Sequence, residues 1–435
     1  MSKKGFIAIA MFCIAAGAHA VTPVESQQKE HQKSHNVIFF GEGEKPDSTA
    51  IWQTINNFYI DQFRHYQDPR APYFMFMSKS RNFAMGIGGA VRMRGWYDWN
   101  GTMPHSGVIP YYISIPTNPT REHWFGTTPS GTSLYFSAFG NDSRFGNYQL
   151  YIEANFNGYS ARDFHLKKAY ASWNDWTVGY ANSSFSDPAA QPITVDGQGP
   201  NCEISDTNVL IRWMRTFKNR YVVALSMETP DGSIPTADNL YTGCSDYMPN
   251  FAGFLQYQWG NGGEHIRLSG IVRGLEYRDL VKGVNHKVTG WGAHLSSIFR
   301  PFAPLTVYGT CVVGKGIASL TNDLQVAPLD LIGNPDDEGR MVAPLSFGWY
   351  GALQYNFTPA VYSTVVFSEQ RFLPKYEKTA ENETYKYGLY VAANVFWEIT
   401  PRCKAGLEYN WAQRKDIDNR HDQINRVSLV GQISF

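Results

Sequence analysis

Residues 83–100 alternate without a break. Phe83, Met85, Ile87, Gly89, Val91, Met93, Gly95, Tyr97 and Trp99 fall on one face, and Ala84, Gly86, Gly88, Ala90, Arg92, Arg94, Trp96, Asp98 and Asn100 on the other. A period of two held over this length exceeds an ordinary soluble strand, and an apolar face opposite one with arginines suits a wall between hydrocarbon and water. The end of the chain repeats the pattern. Counting back from Phe435, Ile433, Gly431, Leu429 and Val427 share one side, and Ser434, Gln432, Val430, Ser428 and Arg426 the other. Further copies lie at 148–156, 209–213, 387–397 and 407–411.

No stretch after the first twenty residues offers about eighteen uninterrupted apolar positions, so any membrane span must be made of strands. Composition agrees: 17% of the 435 residues are charged, 15% are aromatic and 39 are glycine. The 38 basic and 38 acidic residues cancel, which removes any global electrostatic argument for nucleic acid as a partner. Residues 1–20 read as a secretory signal, with Lys3 and Lys4 before an apolar run and Ala18-His19-Ala20 at its end. Residues 21–70 read as a periplasmic tether plus a short amphipathic helix from Asp47, where Ile51, Ile55, Phe58, Gln62 and Tyr66 share a face. Residues 71–435 form the expected barrel domain.

Alternating segments start near 81, 132, 146, 162, 176, 206, 220, 249, 264, 287, 304, 343, 360, 384, 403 and 423. The predicted fold is therefore all-β, a transmembrane antiparallel β-barrel of about sixteen strands with a short N-terminal helix. Tight connections such as Asn174-Asp175, Lys218-Asn219 and Thr358-Pro359 alternate with long ones at 101–131, 185–205, 230–248 and 315–342. Short periplasmic turns and long outer loops alternate in this way in bacterial outer-membrane barrels, with both termini periplasmic. The terminal Phe435 matches their assembly signal, which makes the barrel-assembly machinery an expected partner beside outer-membrane lipid.

A barrel of this size leaves an aqueous lumen, so passage of solutes is the default expectation. The pore-lining candidates are Arg92, Arg94, His165, Lys167, Arg212, Arg267, Arg273 and Arg426, opposed by Asp98, Glu153, Glu228 and Glu408. Basic groups outnumber acidic ones, which favours small anionic solutes, because a guanidinium grips a carboxylate with two parallel bonds. A bland reading, mixed charge that keeps the lumen wet, weighs equally. Lys168 falls on the lipid side with Leu166 and Tyr170 under strict alternation. The segment 185–205, with Asp187, Asp196 and Asn201, is the candidate constriction loop. Cys202 and Cys244 both lie in expected outer loops, so a disulfide between them is open; the wide spacing of Cys202, Cys244, Cys311 and Cys403 argues against a metal cluster, and no metal or cofactor is expected.

The run Phe164-His165-Leu166-Lys167-Lys168-Ala169-Tyr170, followed by Trp176-Thr177-Val178-Gly179-Tyr180 and Ser184-Phe185-Ser186-Asp187, resembles the early strands of the DcaP-like trimeric outer-membrane porins. Residues 209–213, 224–230, Gly314-Lys315-Gly316-Ile317 and Asn425-Arg426-Val427 are similar to further segments of that family, and 93–100 to porins of the Bacteroides group. The resemblance implies a homotrimer of sixteen-stranded channels in the bacterial outer membrane, passing small anions such as dicarboxylates, with family arginines replaced here by His165 and Lys167. Two other classes compete. A barrel hydrolase would need a nucleophile motif, yet His65, His105, His123, His265, His294 and His421 stand singly. A structural or adhesive barrel would use loops such as the one carrying Tyr111 and Tyr112.

Overall fold

The computed structural model describes residues 36–44, 74–101, 103, 105–142, 146–157, 163–237, 239–260, 263–374 and 385–435. The expected signal segment and the helix from Asp47 lie outside these residues. In chain order the strands are β1 Asn36–Phe40, β2 Phe74–Ser78, β3 Phe83–Trp99, β4 His123–Thr128, β5 Ser133–Asp142, β6 Gly146–Asn157, β7 Asp163–Trp173, β8 Trp176–Asn182, β9 Thr207–Phe217, β10 Tyr221–Glu228 and β11 Tyr241–Gly243. There follow β12 Met248–Trp259, β13 Glu264–Asp279, β14 Val284–Phe302, β15 Leu305–Lys315, β16 Ile332–Gly333, β17 Met341–Val342, β18 Leu345–Thr358, β19 Val361–Leu373, β20 Tyr385–Thr400, β21 Cys403–Asp416 and β22 His421–Ser434.

Successive wall strands pair antiparallel, and β22 returns to β3 from Asn425 opposite Trp99 down to Ser434 opposite Ala90. Two wall strands are broken. β4 pairs with the upper half of β3 and β5 with its lower half, while β11 and β12 divide the edge of β13 between them. With each broken strand counted once, the wall is a closed antiparallel barrel of sixteen strands. Strand starts match the alternation to within about three residues. The alternation also sorts the faces: Val91, Met93, Leu429 and Ile433 are more than half exposed, whereas Arg94, Asp98, Arg426 and Ser428 are buried.

The break at 129–132 is bridged by a side chain. The Thr132 hydroxyl accepts from the Arg92 N–H at 3.0 Å and donates to the Arg92 carbonyl at 3.0 Å, so the ladder is satisfied where the backbone bulges away. A second irregularity corrects the placement of Lys168. The register of β6 on β7 shifts so that Glu153 faces Lys168 and Ala154 faces Leu166, leaving Lys167 as the extra residue. Paired residues share a face, so Lys168 joins Glu153 and Tyr170 on the lumen side while Leu166 keeps the lipid side. The bulge removes the charge that strict alternation puts in hydrocarbon.

Below the seam, β2 runs antiparallel to β3 from Phe74 opposite Ile87 to Met77 opposite Ala84, on the edge that β22 leaves. The handover occurs at Gly89, whose N–H and C=O bond the backbone of Phe435 at 2.8 and 2.9 Å. β1 adds a parallel strand outside β2, and Val37 and Phe39 pack on Met75, Met77, Ala84 and Phe139. Residues 36–40, inside the stretch expected to be a tether, are thus part of the sheet.

A Cβ on Gly89 would meet the Ser133 carbonyl and stand 2.8 Å from the Phe435 ring. Gly89→Val is expected to destabilise the seam by ~1–3 kcal/mol through overpacking. Heat-modified gel mobility is the measurement: the variant barrel should unfold at lower temperature than the parent, and identical melting would show that Phe435 is not seated there.

Candidate functional site

The barrel interior is crossed by three long connections that fold inward. From the first, Met103, Val108, Ile109 and Ile113 pack on inward-facing Val366, Tyr390, Ala392, Ala412 and Ile424. From the second, between β8 and β9, Phe185, Cys202 and Ile204 join Ala252, Ile271, Val312 and Tyr350, and Val195 rests on Tyr362, Phe396 and Val430. From the third, between β15 and β18, Ala318 and Leu324 lie against Phe372 and Tyr385, and Leu331 and Met341 against Leu275 and Tyr277. Apolar residues on a lumen face would be costly against water, and these segments cover them. Only the second segment stood out in the sequence. The signal for the others was the run of Ala, Val and Ile at inward positions, which a purely aqueous lumen does not explain.

The inserted segments are held by the charges proposed above as pore lining. Asp187 takes the imidazole Nε2 of His265 at 2.8 Å and the hydroxyl of Ser296 on one oxygen, and Arg267 at 3.2 Å on the other, all buried. Burial opposes ionisation, yet Arg267 and His265 hold the Asp187 carboxyl well below the usual carboxylate range. Arg267 also donates to the Ser186 carbonyl and lies 4.3 Å over Phe254. Glu228 accepts the Ser184 N–H, and Arg212 donates to the Asn182 carbonyl at 3.1 Å. Arg273 bridges Asp231 at 2.8 Å and Asp330 at 3.2 Å and donates to the Gly316 carbonyl.

Around the tip of the second segment the contacts multiply. Glu408 accepts the N–H groups of Val195 and Asp196, each at 2.8 Å, and the amides of Asn394 and Asn410. Asp196 accepts from the Val108 N–H at 2.9 Å and lies 3.5 Å from Arg94, and burial raises its pKa. Asn201 bonds Ser368 through its N–H and Gly388 through its side chain. Arg426 forks onto Asp98 at 2.6 and 2.8 Å and caps the carbonyls of Ser106 and His105. The segments also lock to one another, through Asn322 to the Gln198 and Pro200 carbonyls and Asp323 to the Tyr111 N–H.

This revises the arginine ladder. Arg94, Arg267, Arg273 and Arg426 are buried and tied to the inserted backbone, and Arg212 is buried and tied to the end of β8, because each segment brings carbonyls and carboxylates that need partners away from water. Arg92 differs: it is half-buried, and among the described residues its guanidinium donates from Nη2 alone, to the Val195 carbonyl at 2.8 Å. Lys167 pairs with Glu153 at 3.0 Å and keeps 43% side-chain exposure, and His165 is exposed, 3.9 Å from Asp163. The disulfide left open between Cys202 and Cys244 is absent, and all four described cysteines are free thiols, Cys202 being buried in the apolar cluster beneath the second segment. Tyr111 packs on Tyr385 and under Arg414 rather than standing out as an adhesive contact. His265, Asp187 and Ser296 assemble the elements of a hydrolytic set in the wrong order, since histidine and serine both bond one carboxylate oxygen.

No protein-family model matches the chain, and no curated protein matches it. Among solved structures, the outer membrane channel DcaP of Acinetobacter baumannii superposes with a TM-score of 0.71 at 16% identity, over 83% of this chain and 99% of that one. OmpF of Salmonella typhi, in complex with daunomycin, gives 0.51 at 8% identity over 81% and 98%. The trimer form of OmpT of Vibrio cholerae gives 0.50 at 8% identity over 81% and 100%. These likenesses are of fold, and the fold is that of a porin barrel.

Two predictions test the anchoring. Asp98→Ala leaves Arg426 buried without its carboxylate and is expected to cost about 3–5 kcal/mol of barrel stability. Asp98→Asn combined with Arg426→Gln should cost less in denaturant titration; equal losses would deny the pair its anchoring role. Glu203 tests pH. Its carboxyl is buried beside the Gln191 amide and Asp196, one oxygen without a hydrogen-bond partner, and burial pushes it up to about 8. Docking of the segment is strongest below the ordinary carboxyl range and weakens as pH rises from there to about 8, because the docked form holds its proton more tightly. Conductance in a planar bilayer should change over that range, and Glu203→Gln should flatten the profile.

Proposed function

We propose that this chain is an outer-membrane porin that passes small hydrophilic solutes by passive diffusion and prefers anions, as a homotrimer of the DcaP-like type, without enzymatic activity. Its apolar outer face meets lipid and both termini are periplasmic, with Phe435 engaging the assembly machinery. The observation that carries the anion preference is the wall opposite the tip of the second segment. There Gly197 and Lys167 are exposed and Arg92, Lys168 and Asn155 half-buried, so the charge left in contact with water is mainly basic, with Glu153 already paired. Mobile anions gain from such a wall, and salt screens the effect only partly within a narrow passage. With most other lumen arginines bound to backbone, selectivity rests on Arg92, Lys167 and Lys168. Dicarboxylates are the solutes that fit this reading best, since two charges gain twice from one basic wall.

Reversal potentials across a salt gradient in a planar bilayer are the test. The parent should conduct in steps of three and favour chloride over potassium. Arg92→Gln with Lys167→Gln should move the reversal potential toward zero. Absence of conductance, or a preference for cations, would overturn the proposal.

A further inference from the structure

We propose that the Arg92 guanidinium, framed by Gly131 and Gly197, is the seat for one carboxylate of the permeating anion, and that Gly197 is the residue that admits it. The inference rests on the anion-porin reading and assigns the contact within it. Arg426, on the neighbouring strand β22 at the level of Asp98, makes four hydrogen bonds to Asp98, Ser106 and His105. Arg92 makes one from its side chain, and its Nε is buried without a partner. A buried donor on a permanently charged group is a strong demand for an acceptor.

The two glycines explain how an acceptor gets in. Gly131 lies in the break between β4 and β5 with φ of +91°, and a Cβ there would stand 2.9 Å from Arg92 Cδ. Its bareness gives the guanidinium stem its room. Gly197 has φ of +74° and is exposed, and a Cβ on it would stand 3.4 and 3.5 Å from the two terminal nitrogens of Arg92 and 3.6 Å from Arg94 Nη1. The missing side chain is therefore an atom-sized opening in front of three cationic nitrogens, within reach of oxygens that bond guanidinium at about 2.7–2.9 Å.

The neighbouring carboxylates Asp196 and Glu408 balance part of the Arg92 charge, but among the described residues neither is hydrogen-bonded to its guanidinium. Asp196 is turned to the Val108 N–H and Arg94, and Glu408 is engaged by four N–H donors. The current acceptor of Arg92 is a neutral carbonyl, that of Val195, and a charged oxyanion is the stronger partner. Arg92 can exchange one for the other while Glu408 still holds the Val195 N–H, so the segment stays docked. Asp196 and Glu408 repel the bound anion from behind, which keeps the seat weak enough for release, as conduction requires.

The test uses the full refolded chain in planar bilayers and reads block of the chloride current by succinate and, separately, by inorganic phosphate. Gly197→Ala should raise the half-blocking succinate concentration about tenfold, equivalent to about 1.4 kcal/mol, while the reversal potential stays anionic because Arg92 remains. Gly197→Asn, a residue type that tolerates left-handed backbone, should act alike if the alanine variant fails to fold. Gly351→Ala, whose Cβ would meet nothing within 4 Å, should leave block unchanged. Succinate block that is insensitive at Gly197, or an anion-selective parent that neither probe blocks, overturns the seat while leaving the anion porin intact. A parent without anion preference overturns the earlier reading first. Block by phosphate but not succinate would replace a carboxylate seat with a phosphate one, and so overturn the proposal as stated.

Discussion

Everything in this molecule depends on the ladder between β3 and β22. In hydrocarbon a backbone N–H or C=O has no water to fall back on, so a sheet can stand there only if its first and last strands pair with each other. The ladder does so to the final residue, with Phe435 bonded to Gly89. Because β3 continues below that point, a separate strand must take over its edge, and β2 does, with β1 beside it. Where the wall is interrupted at 129–132, the Thr132 hydroxyl supplies the missing bonds. Sheet closure, strand break and side-chain bridge are answers to one requirement.

A closed wall of sixteen strands creates a second problem, a lumen too wide to be selective by size. Three inserted connections narrow it, and they bring backbone groups and carboxylates out of bulk water. The wall answers with arginine. Asp98 with Arg426, Asp187 with Arg267 and Asp330 with Arg273 are buried pairs whose partners lie far apart in the chain. Such pairs owe their persistence less to net attraction than to the penalty for breaking them. They give each segment one position. Charge at the water boundary is what remains after these demands are met, and it lies on Arg92 and the lysines of β7 rather than on the more deeply placed arginines.

Much of the wall was legible because a strand records both its sides in alternation. The faces of β3 and β22, and most strand starts, follow from a period of two. Lys168 did not, since a bulge changes parity without leaving a mark in hydropathy. β1 and β2 were missed because five-residue strands in a polar neighbourhood carry too little periodicity. The inward turn of 185–205 followed from its place and length, whereas the other two inserted segments look like ordinary long loops. Reading Ala392, Ala412, Val366 and Val312 as lumen residues that need cover would have revealed them.

By itself the sequence determined the class of wall, its strand number, its two faces and the stock of basic residues on the inner one, because these depend on local spacing along a single strand. The tertiary structure alone decided which of those residues are tied to the inserted segments and which keep contact with water. That outcome turns on partners such as Asp98 and Arg426, 328 positions apart, and on the two glycines that face the Arg92 side chain without a Cβ. Burial and hydrogen-bond completion are properties of the assembled interior, and no local pattern encodes them.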